Sequence, residues 1–180
     1  MFRKQISIDD TGWGEPILGA VIGAHKLPDH KYMEHRIPVS AFQSPNFERK
    51  RYWEYAVKIA REIVKVMRAD KETSFKVCSG YMLSDMRKYL WDRGFPVIEV
   101  EITGELQERV KRGFIKWCVE VGVPVEKLES RGDRVAQAQK RFWAFLEWVA
   151  EKPKLREKLV KTGWKSWKEK WREQAFKERF

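Results

Sequence analysis

Residues 6 to 14 read Ile6-Ser7-Ile8-Asp9-Asp10-Thr11-Gly12-Trp13-Gly14, and the apolar run Ile17-Leu18-Gly19-Ala20-Val21-Ile22-Gly23-Ala24 follows at once. This pairing constrains the fold more than any other feature of the chain. Ile6 and Ile8 alternate with Ser7 and Asp9, the period of a half-buried strand. The run 17–24 reads as a fully buried strand that pairs back onto the first. Two adjacent carboxylates therefore arrive at a strand end, beside a glycine-rich turn. Carboxylates so placed are a means of holding Mg²⁺ in phosphoryl transfer. Asp-Asp-Thr-Gly is equally ordinary turn chemistry, because Asp and Gly tolerate turn dihedrals.

The strand pattern continues through residues 32–40, where Pro38 marks an edge position. Leu27-Pro28-Asp29-His30 supplies the intervening turn. Ser44-Pro45 then reads as the cap and first residue of a helix. Its apolar face is Tyr52, Ala56, Ile59, Ile63 and Met67, at helical spacing. Phe75–Cys78 reads as a strand, followed by a helix with Leu83, Met86 and Leu90 inward and Gly94 as its stop. Val97–Ile102 reads as a further strand. The next helix carries Leu106, Val110, Phe114, Trp117 and Val121 and ends at Gly122 and Pro124. Ser130 caps a last long helix to about Ala150, and short helices follow Pro153.

The order is three antiparallel strands, then strands joined through helices, which implies parallel pairing with right-handed crossovers. This order resembles the ribonuclease H-like superfamily. The fold so implied is α/β: a mixed five-stranded sheet with helices on both faces, plus a C-terminal helical extension. The corresponding domain reading is a ribonuclease H-like domain over 1–150 and a basic, Trp-rich helical extension over 151–180. The stretch Ile8-Asp9-Asp10-Thr11-Gly12-Trp13-Gly14 resembles the first-strand motif of type 2 ribonucleases H, Ile-Asp-Glu-Ala-Gly-Arg-Gly. It is also similar to the Ile-Asp-Pro-Gly start of RuvC-type Holliday-junction resolvases. The resemblance implies a two-metal Mg²⁺ or Mn²⁺ site with Asp9 on both ions and Asp10 as a further ligand. Trp13 stands where type 2 ribonucleases H carry an Arg that helps read the RNA–DNA junction, a departure that argues against that specificity.

Such chemistry needs several acids from different segments. Glu101 is one candidate, in Ile98-Glu99-Val100-Glu101-Ile102, near the strand end where α/β sheets place their sites. The same alternation also suits a solvent-facing edge strand, and Glu101 would then lie two strand spacings, roughly 10 Å, from Asp9. Asp133, near the start of the late helix, is the third. Ser130 and Asp133 also have the spacing of a capping box. The resemblance thus assigns catalysis to Asp9, Glu101 and Asp133, and metal binding to these with Asp10. The fourth strand ends Cys78-Ser79-Gly80-Tyr81, without the acid usual in the superfamily.

Charge indicates the partner. The 180-residue chain has a net charge of +11, and residues 131–180 hold fifteen Lys and Arg against seven Asp and Glu. A basic face is the electrostatic footprint of a polyanion binder, here RNA or DNA. Lys140, Arg141, Lys161, Lys165, Lys168 and Arg172 are the candidate phosphate contacts. Trp164, Trp167 and Trp171 are spaced as the buried stripe of an amphipathic helix, set against the body or against a second copy in a homodimer. They also suit base stacking. The lone asparagine, Asn46, fits a thermophile. Cys78 and Cys118 lack disulfide or zinc spacing, and His25, His30 and His35 share no face. Without a signal peptide or a membrane-spanning run, the expected location is the cytoplasm and no membrane partner is expected. A metal-dependent nuclease is the leading functional reading. A non-catalytic nucleic-acid-binding or assembly protein on the same fold is the alternative. A third reading is a globular protein whose basicity reflects only growth temperature.

Overall fold

The computed structural model describes residues 4–128 and 134–177. Its five strands are β1 (Gln5–Thr11), β2 (Ala20–Leu27), β3 (Lys31–Ile37), β4 (Ser74–Cys78) and β5 (Val97–Val100), in the order β3-β2-β1-β4-β5. β1 pairs antiparallel with β2, and β2 with β3. β1 pairs parallel with β4, and β4 with β5. This is the ribonuclease H-like arrangement that the element order predicts, with the carboxylate-bearing strand at the centre.

The helices divide between the faces according to side-chain alternation. Ile6 and Ile8 of β1, with Ala20, Ile22 and Ala24 of β2, meet α1 (Arg51–Val66) and α2 (Ser84–Asp92) in one core. The α1 stripe is the one expected, from Tyr52 to Met67. On the other face lies α3 (Glu105–Glu120), packed against β1 and β2. Phe114 and Cys118 of α3 join Val21 and the apolar side of α4 (Arg134–Glu151) in a second core. Phe145, Trp148 and Trp167 are buried there, with Trp164 and Trp171 partly so. The helical tryptophan spacing is thus a packing signature in this chain. Among the described residues, no helix is long and apolar enough to cross a membrane.

Four boundaries differ from expectation. β3 ends at Ile37 rather than Ser40, because the chain turns at Pro38 into a 3₁₀ turn over Val39–Phe42. β2 starts at Ala20 rather than Ile17, because Leu18 adopts φ 61 and Gly19 lies directly against β3. A Cβ at Gly19 would sit 1.7 Å from the Ile37 carbonyl oxygen. α1 starts at Arg51 rather than Pro45, since Lys50 at φ 54 cannot continue a right-handed helix from the turns before it. β5 stops at Val100 and forms the sheet edge.

The segment after α5 (Pro153–Arg156) lies against the β1–β2 connection. Ile17 bridges Val160, Leu18 N–H donates to Leu159 O at 2.7 Å, and Lys161 N–H donates to Pro16 O at 2.9 Å. Gln43 Nε2 donates to the carbonyls of Lys158 and Val160, each at 2.9 Å. A short π-helical turn, Trp167–Trp171, then leads into α6 (Arg172–Lys177).

Gly19 tests this packing directly, since no side-chain motion relieves a clash with backbone. Gly19→Ala is expected to lower unfolding free energy by about 3 kcal/mol or more. Urea denaturation at neutral pH checks this, and a loss within experimental error would contradict the close β2–β3 approach.

Candidate metal centre

β1 is central, and its last residues reach the edge of the sheet just where β4 ends. The register sets Ile8 beside Val77, so Asp9 follows directly beside Cys78. Asp9 is only 4% exposed. The Cys78 thiol hydrogen-bonds to its carboxylate. One ligand atom each from Asp9, Asp10 and Cys78 lies within 4.8 Å of the others, the one such metal-capable group of three among the described residues. Gly80 borders it closely, for a Cβ there would come 3.2 Å from Asp10 Oδ1.

Burial dominates the electrostatics. It raises the Asp9 carboxyl above its usual range, against the Cys78 hydrogen bond and the attraction of Lys111. Asp10 is pushed up to about 7, first by burial and then by the neighbouring Asp9 charge, while Lys161 and Arg87 oppose the shift. Burial likewise pushes the Cys78 thiol up to about 11, and both carboxylates add to this. Without a metal, Cys78 is a neutral donor.

Two cations hold the surrounding backbone. Lys161 is fully buried and donates to the Gly12 carbonyl and, at 3.3 Å, to that of Trp13. Burial brings its ammonium down to about 7, with Glu15 and Asp10 resisting. Gly12, at φ 91, gives the β1 turn the shape that presents these carbonyls. Arg87 of α2 donates to the carbonyls of Cys78 and, at 3.0 Å, Gly80, and pairs with Glu99 at 3.1 Å. Thus the two turns that carry the acids and the thiol are each fixed by a cation from another element.

The expected residues separate accordingly. Asp9 and Asp10 converge. Glu101 is exposed one residue beyond the edge strand β5 and stands outside the cluster. Asp133 lies outside the described residues. Among the expected phosphate contacts, Lys140 and Lys165 are exposed. Lys165 has an ion pair of 3.6 Å with Glu169. Lys168 is exposed, 3.6 Å from Glu48, and donates to Ser44 Oγ at 2.7 Å. Arg141 is bound to the buried Glu15 at 2.7 Å, and Arg172 to Glu157 at 2.6 Å. Lys161 corrects the reading most plainly. It points inward to the β1 turn, where it joins the Glu15 N–H at the Gly12 carbonyl and also reaches that of Trp13. Local sequence pattern marks neither Cys78 nor Arg87 as part of the site. The signal for Cys78 was its place at the end of the fourth strand, where the resemblance called for an acid.

A search of solved structures matches 55 chains. One is the catalytic core domain of BIV integrase, at 11% identity and a TM-score of 0.38, covering 80% of this chain and 84% of that one. No family model matches, and no curated protein matches the sequence.

The raised Asp10 carboxyl makes stability pH-dependent. A folded-state value of about 7, above the ordinary 3.8, means stability from protonated Asp10 is full below pH 3.8 and lost as pH rises through 7. Asp10→Asn keeps the neutral form at every pH. With metal removed by EDTA, its stability relative to the wild type is expected to rise between pH 5 and pH 8 by on the order of 1–2 kcal/mol. Thermal denaturation at both pH values measures this, and an equal difference at each would refute it.

Proposed function

We propose that this chain is a metal-dependent nuclease in which Asp9 and Asp10 hold a divalent cation against the phosphodiester of a nucleic acid. The observation that carries the reading is the convergence of the buried Asp9 carboxylate and the half-buried Asp10 carboxylate at the end of the central strand of a ribonuclease H-like sheet. Burial fits them to a cation, since two adjacent charged carboxylates lack any other full compensation in that space. A bound divalent ion supplies Lewis acidity at the phosphate and a more acidic water. Asp10 gives up its proton on loading, so metal affinity rises with pH through about 7. Arg87 and Lys161 keep the β4 and β1 turns in place while the carboxylates change charge.

Cys78 supports a second reading. Where a third acid would complete the site there is a thiol, and among the described residues no further carboxylate joins the cluster. A thiol is a poor ligand for Mg²⁺ and a better one for softer cations. A non-catalytic nucleic-acid-binding protein on the same fold is consistent with that exchange.

Calorimetric titration of Mn²⁺ into the apoprotein separates the two, together with cleavage assays on single-stranded and duplex RNA and DNA. The nuclease reading expects saturable heat that Asp9→Asn abolishes, and Mn²⁺-dependent cleavage that falls by ~100-fold or more in the same variant. Cys78→Asp is expected to strengthen Mg²⁺ binding. No heat at millimolar Mn²⁺, with cleavage indifferent to Asp9→Asn, would remove the nuclease reading and leave the second.

A further inference from the structure

Beside the carboxylates lies an open pocket of about 550 Å³, within the range of about 300–1,000 Å³ typical of small-ligand sites. Its walls are aromatic, from Trp13, Phe47 and Tyr81, and its rim is basic, from Lys50, Lys165 and Lys168. Trp13 follows Asp10 by one turn of chain, and Tyr81 follows the Gly80 that borders Asp10. Two of the pocket's aromatic walls thus belong to the same two turns that carry the acids and the thiol.

The rings are held before any ligand arrives. Trp13 meets Tyr52 edge-on at 5.1 Å and Phe42 at 6.0 Å. Tyr81 lies 5.1 Å from Trp53, whose Nε1 donates to the Tyr81 carbonyl at 3.1 Å. Tyr81 nevertheless remains 51% exposed, open to a ligand from the solvent side. Of the rim cations, Lys50 rests over the Trp53 ring at 4.3 Å. Lys165 is 85% exposed along its side chain. Glu48 is the one carboxylate in the lining, 3.6 Å from Lys168 and accepting from Ser44 Oγ at 2.5 Å.

We infer that this pocket binds an unpaired nucleotide of a single strand, its base stacked on Tyr81 beside Trp13 and its phosphate on Lys165 and Lys168. Aromatic walls with a cationic rim match the two halves of a nucleotide, and stacking requires a base free of its duplex neighbours. The strand entering the pocket runs on towards Asp9 and Asp10. The inference rests on the nucleic-acid half of the function proposed above and does not need the metal. Glu48 competes with the phosphate for Lys168, so it sets an upper limit on affinity.

Fluorescence anisotropy in EDTA at low salt tests this, with a labelled oligothymidylate, an abasic oligonucleotide of equal length, and a blunt duplex. The single strand is expected to bind more tightly than either of the others. Tyr81→Ala should weaken it on the order of tenfold, leave the abasic strand unchanged, and be rescued by Tyr81→Phe. Glu48→Gln should tighten binding, and Lys165→Ala with Lys168→Ala should flatten the salt dependence. Equal losses on base-bearing and abasic strands, or no effect of Tyr81→Ala in a variant that keeps the wild-type circular dichroism, would overturn the stacking site. Failure of the wild type to bind any oligonucleotide would overturn it as well. Mn²⁺ heat lost in Asp9→Asn would then still stand as a separate result for the metal centre.

Discussion

The turn after β1 depends on one buried ammonium. Lys161 reaches from the C-terminal segment to the Gly12 and Trp13 carbonyls, and no solvent reaches it there. Around it, backbone bonds tie Leu18 to Leu159 and Pro16 to Lys161. A buried charge is tolerated only where several polar partners converge on it. This requirement works in both directions. The turn must present its carbonyls for Lys161 to be buried, and Lys161 in turn braces them, as a second donor beside the Glu15 N–H at Gly12 and as a donor to Trp13. The position of Asp9 and Asp10 at one end of the turn, and of Trp13 at the other, follows from that mutual dependence. A segment distant in sequence thereby becomes part of the site's foundation.

The charges near the turn form a linked set rather than independent pairs. Asp10 lifts the Lys161 ammonium while Lys161 draws Asp10 down, and burial works against both. Glu15 supports Lys161 from the other side and is itself held by Arg141 of α4. Arg87 adds a second cation near Asp10 and is shared with Glu99. In a low-dielectric interior, a change at one member moves the protonation of the others. A divalent ion at Asp9 and Asp10 would shift the balance towards charged carboxylates. It would also disfavour the nearby ammonium, so the Lys161 clamp and the metal oppose each other in charge while sharing one turn.

Much of this architecture is legible from local pattern, because alternation and helical spacing report which face is buried. Ile6 and Ile8, the Tyr52–Met67 stripe and the spaced tryptophans all pack as their periods require. The sheet order follows from strand sequence and crossover handedness. What escapes pattern is anything set by a contact distant in sequence. Gly19 halts an apolar run because Ile37 lies against it, and Lys50 turns left-handed within a helical sequence. The site divides in the same way. Asp9 and Asp10 are marked by their strand. Glu101 needed a buried strand and instead lies beyond an edge. Lys161 counts as basic in composition, yet its charge is spent inside the molecule. Cys78 is an undistinguished thiol until β4 is set beside β1.

Lys161 also changes what the net charge of the chain means. Arg141, Arg172 and Lys168, all from the basic C-terminal part, face carboxylates of this same chain. Surface pairs of this kind add little stability, about 0–1 kcal/mol each, and a phosphate can displace them. The buried Glu15 is different, since taking Arg141 from it would leave a carboxylate uncompensated in the interior. The surface cations therefore divide by how replaceable their partners are. Lys165 and Lys168 can exchange exposed carboxylates for a phosphate at small cost, whereas Arg141 cannot, and Lys161 is buried away from the surface altogether. The exchangeable pair stands on the rim of the aromatic pocket. Position relative to replaceable partners, more than the count of basic residues, determines where a polyanion can settle on this fold.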